Sequence, residues 1–94
     1  MTDREKTKDL KEFQELLKVE VAKLGGYDNL GMGSTNIEID NKVSNLHKQV
    51  VFTTRFGKRA NTDVIQAALE LAAQCIVMAC NAKREYRQWE EMYD

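Results

Sequence analysis

Between Asp40 and Asp63 the chain carries Lys42, Lys48, Arg55, Lys58 and Arg59 and no acid, and the last three crowd a short stretch that leads into a helix start. Cationic side chains beside the unpaired N–H groups of a helix N-terminus attract an anion, because the peptide dipoles sum there to a partial positive charge. The spacing predicts a ligand set of Arg55, Lys58 and Arg59, with Asn61 and Thr62 supplying hydrogen bonds, for a small anion such as a nucleotide. A hydrated turn accounts for the same residues if Asn61 or Thr62 caps its own helix and Asp63 already answers the dipole. A wider use of these charges is nucleic-acid binding across residues 42–59. The acidic pI of about 5.8 and the lack of an aromatic sequence-reading motif weigh against it.

Other residue sets have chemistry of their own. Leu30-Gly31-Met32-Gly33-Ser34-Thr35 sets two glycines and two hydroxyls ahead of a helix, the makings of an anion nest, but without the lysine and spacing of a nucleotide-binding loop. Glu12 with Glu15, and Glu91 with Asp94, are carboxylates three apart that can share a divalent cation. Such pairs resemble the acidic motifs on facing helices of nucleotide pyrophosphohydrolases. That resemblance implies metal-dependent nucleotide hydrolysis as a minor alternative, while solvated helix faces explain the same four residues. Cys75 and Cys80 lie in an apolar helical stretch, where buried, inert thiols are expected, and His47 offers them no evident nucleophile pairing or zinc-site spacing. No catalytic residue, metal or cofactor is therefore expected. Tyr86, Trp89, Met92 and Tyr93, interleaved with Lys83, Arg84 and Arg87, form an aromatic end, and Tyr86, Arg87 and Trp89 are the expected interface residues, since aromatic and arginine side chains dominate interface centres.

Three helices must position these groups. Leu10, Phe13, Leu17, Val21 and Leu24 recur at spacings of three and four, which predicts a helix over about 3–24, ended by Gly25 and Gly26. Thr35 and Glu38 have the spacing of a capping box, and Ile39, Val43, Leu46 and Val50 follow at helical intervals, so a second helix is expected over 36–56. The β-branched and aromatic run Val50–Phe56 makes a short strand at 50–56 the competing reading.

A third helix over 62–90 carries one stripe of Ile65, Leu69, Ala72, Ile76, Ala79 and Tyr86. Beside it runs another of Val64, Ala68, Leu71, Cys75, Met78, Ala82 and Trp89. Together they span more than the roughly 100° that a surface helix buries, so more neighbours are needed than two helices supply. The small residues among them permit close helix approach, and a homo-oligomer is expected. An antiparallel pairing of third helices would also set the acidic end, Glu90, Glu91 and Asp94, against a partner's basic stretch.

Composition bounds the rest. With 94 residues, 43% apolar and 31% charged, no proline and a formal charge of -1, the chain reads as a single mainly α, three-helix bundle-like domain over 1–94. Val64–Ala82 is broken by Gln66, Glu70, Gln74 and Asn81, so no membrane span is expected. The charged N-terminus and the thiols suggest a cytoplasmic setting. The function these features suggest is a small, non-enzymatic binding protein, oligomeric, that takes or sequesters a protein partner or a small anionic ligand.

Overall fold

The computed structural model describes residues 2–24, 32–56 and 61–93, with backbone only for 53–56 and 93. Helix α1 spans Asp3–Lys23, α2 Met32–Phe56 and α3 Asn61–Tyr93, and no strand occurs among the described residues. The mainly α, three-helix expectation holds.

Each helix follows from its residues. Thr2 caps α1: its Oγ1 accepts the Glu5 N–H at 3.2 Å and its carbonyl accepts the Lys6 N–H at 3.1 Å, while Asp3 and Glu5 complement the dipole. The α1 helix closes where the Leu24 N–H bonds the Val21 carbonyl, just before the two glycines that the sequence sets there. In α2 the run Val50–Phe56 is helical rather than extended, because Val43, Leu46 and Val50 continue one helical stripe and tertiary placement overrides β propensity. The α2 helix also begins at Met32, four residues before the expected start. Thr35 is therefore not a cap, and Met32–Thr35, expected in a glycine-rich loop, is helix.

The 33-residue α3 is the spine, about 50 Å long at 1.5 Å per residue. It packs against α2 and, less extensively, against α1, and α1 and α2 do not meet among the described residues. Two cross-links fix α2 antiparallel to α3: Asn81 Nδ2 donates to Thr35 Oγ1 at 3.1 Å, and Lys42 Nζ lies 3.7 Å from Glu70 Oε2. On the other side Gln66 Nε2 donates to Glu20 Oε1 at 3.1 Å.

The result is a slab of 55 × 31 × 19 Å rather than a closed bundle. Its radius of gyration is 16.4 Å, against about 12 Å for a compact chain of this length. Its accessible surface is 7361 Å², against roughly 5,500 Å² for a compact chain of 10.8 kDa, an excess of about 1,800 Å².

The fully buried set is small and half polar: Ala67, Ala73 and Val77 with Thr35, Gln74 and Asn81. Neither of the two expected apolar stripes of α3 is the buried one. The stripe turned inward is Ala67, Gln74 and Asn81, seven residues apart, whose last member bonds α2. Cys75 is exposed and Cys80 half-buried, which corrects the expectation of buried thiols. By length and composition Asn61–Met92 is also apolar enough to cross a membrane, contrary to the residue-by-residue expectation, although the core helix of a soluble protein meets the same description. Only 28% of its most apolar window is buried inside the chain.

Candidate functional site

Because α2 takes the Ala67–Gln74–Asn81 side of α3 and α1 covers part of another, the side between them is left open. Ala68, Ala72, Cys75, Ala79, Ala82 and Tyr86 lie along it at spacings of four, three, four, three and four; all are exposed but Ala72, which is half-buried. That interval keeps one face of a helix toward a neighbour over five turns. Small side chains on it permit backbones to approach closely.

Two open grooves flank the α1–α3 junction. One, about 360 Å³, is lined by Phe13, Val64, Ile65, Ala68, Leu69 and Ala72 and is almost wholly carbon. The other, about 510 Å³, is lined by Gln14, Glu15, Leu17, Lys18, Val21 and Ile76. Large apolar side chains line them, Ile65 and Ile76 among them, each 42% exposed. Apolar side chains of α1 and α3 are thus exposed together along this face.

The electrostatics of this face are mild. Glu15 and Lys18 pair at 3.1 Å in open solvent, worth little in stability. The Lys23 ammonium at 2.9 Å, then the Gln66 amide, hold the Glu20 carboxyl below the ordinary value, against a smaller opposing effect of burial. Glu20 therefore pins α1 to the first third of α3 as an anion.

The sequence-predicted sites fall as follows. Asn61 and Thr62 open α3 and are exposed, with Asp63 in the first turn. Arg55 lies in the last turn of α2 by its backbone; its side chain, together with Lys58 and Arg59, lies outside the described residues. Tyr86, Arg87 and Trp89 are all exposed, on the last third of α3 and about 36 Å along the axis from Thr62, so the anion set and the aromatic set do not form one site. Glu12 and Glu15 are exposed on α1, Glu91 is exposed at the far end of α3, and Asp94 lies outside the described residues. Among the described residues no three of histidine, cysteine, aspartate and glutamate gather to hold a metal. His47 is exposed on α2. Leu10 and Phe13, read from the sequence as part of the apolar stripe of α1, are exposed, and the groove beside Phe13 was not anticipated; the width of the α3 apolar arc was the available signal. No family model, curated protein or solved structure matches the chain.

Proposed function

We propose that this chain is a helical protein-binding module whose working surface is the uncovered face of α1 and α3. One observation carries the reading: the apolar stripe and groove of that face lie outside a buried set that is half polar, and the chain exposes about 1,800 Å² more than a compact chain of its mass. A partner of matching chemistry offers an amphipathic helix with an aliphatic face, laid into the groove beside Phe13 and Ile65. Nucleic-acid binding through residues 42–59 draws less support, since Lys42 is already paired with Glu70 across the α2–α3 seam.

The test is the native size of the chain in an extract of the cells that make it, by size exclusion under gentle conditions. The expected result is a species well above 10.8 kDa, reduced to that of one chain by Ile65→Asp with Ile76→Asp. Both positions are 42% exposed, so the replacements spare the chain's own core. A wild-type chain that elutes at monomer size overturns the proposal.

A further inference from the structure

We propose, resting on that reading, that the partner is a second copy of this chain, docked antiparallel along α3 with the two-fold axis at the level of Val77. The area supports a homodimer. The chain's excess of about 1,800 Å² over a compact chain of its mass, summed over all its faces, leaves room for the roughly 1,000–2,500 Å² that each subunit of an obligate homodimer buries.

The order of side chains along the face is self-complementary. Its seam runs from Ala68 to Tyr86, about 27 Å, small at its start and large at its end. In an antiparallel pair with that axis, Tyr86 of each chain comes level with Ala68 of the other at the two ends of the seam, while Ala82 meets Ala72 and Cys75 meets Ala79 between them, where small side chains let the helices approach. A parallel pair would set Tyr86 on Tyr86, and the two rings would hold apart the small residues beside them. Continuing the same register brings Trp89 level with the partner's Ile65, at the carbon-lined groove of Phe13, Val64 and Ile65, which is otherwise open. The seam and the groove, described separately above, are then covered by one operation. A two-fold contact of this kind also uses the same patch on both chains, as a closed dimer requires.

The test is sedimentation equilibrium of the purified full chain. Wild type should sediment at twice 10.8 kDa. Ala79→Glu, which sets a charge on the seam at a position exposed in the single chain, should weaken the dimer at least about tenfold with unchanged helicity. Ala68→Tyr alone, placing a second ring beside Tyr86 of the partner, should weaken it by a similar factor of about ten, and Ala68→Tyr with Tyr86→Ala should restore it. That rescue is specific to the antiparallel register. A dimer indifferent to Ala79→Glu, or an unrescued double variant, overturns the inference. So does a monomer, whether it stays in solution or transfers to phosphatidylcholine vesicles through α3. A monomer that nevertheless comes from a large native complex in the extract sinks the self-pairing and leaves the protein-binding module standing; a monomer in both settings sinks both.

Discussion

Thr35 and Asn81 join α2 to α3 at a point neither sees solvent, and replacing them gives the sharpest energetic prediction for the fold. Asn81 Nδ2 donates to Thr35 Oγ1 at 3.1 Å, while Asn81 Oδ1 is buried without a protein partner. A net hydrogen bond is worth about 1 kcal/mol, and a buried polar atom left unpaired costs about 1–3 kcal/mol. Thr35→Val alone removes the bond and leaves the whole Asn81 amide unpaired, so it should destabilise by about 2 kcal/mol. Thr35→Val with Asn81→Leu removes the bond together with the unpaired oxygen. It also buries carbon at roughly 25 cal/mol per Å² and improves helix propensity by about 0.5 kcal/mol. The double variant should therefore be more stable than Thr35→Val alone by about 1–2 kcal/mol, since the Asn81 amide no longer stands unpaired. Urea unfolding followed by far-ultraviolet circular dichroism, at one fixed chain concentration, reads both numbers, with the m-value unchanged. A neutral Thr35→Val would show that this pair is wet. A double variant no more stable than Thr35→Val alone would show that α2 and α3 do not meet in this register.

Further predictions concern the other helix junctions. Glu20 has a depressed folded pKa, so its contribution to α1–α3 docking is present above the unfolded value of about 4.5 and is lost as pH falls through the folded one. Glu20→Gln should flatten that acid limb, measured as melting temperature against pH. Thr2→Ala removes the α1 cap and should cost about 1 kcal/mol, read as faster amide exchange in the first turn of α1. Gly33→Ala should stabilise α2 by about 0.5 kcal/mol in chemical unfolding, because an added Cβ meets nothing within 4 Å.

The three helices were legible because Leu10, Phe13, Leu17 and Val21, and then Ile39, Val43, Leu46 and Val50, repeat at helical spacing. The start of α2 was not, since Gly33 and Ser34 have poor helix propensity and Thr35 with Glu38 imitates a cap from inside the helix. Nor was the inward face of α3. Ala67, Gln74 and Asn81 look like a surface stripe, and only a neighbour such as Thr35, which makes Asn81 burial affordable, turns them inside. The uncovered face follows from that choice. The need for cover beyond two helices was visible in the width of the α3 arc, but the groove beside Phe13 was not, because a periodic apolar residue reads the same whether its neighbour is its own chain or another. The buried polar stripe has a physical consequence as well: through Asn81 and Thr35 it fixes the register of α2 on α3 and leaves the α3 seam exposed.

Cys75 reports on that seam directly, since its thiol is exposed in the single chain and lies at the centre of the proposed contact. The measurement is the rate of maleimide labelling of Cys75, in a Cys80→Ser background, across a range of chain concentrations. The account predicts that labelling slows as concentration rises and that Ala79→Glu returns it to the rate at dilution. A Cys75 that reacts at the same fast rate at every concentration would contradict it.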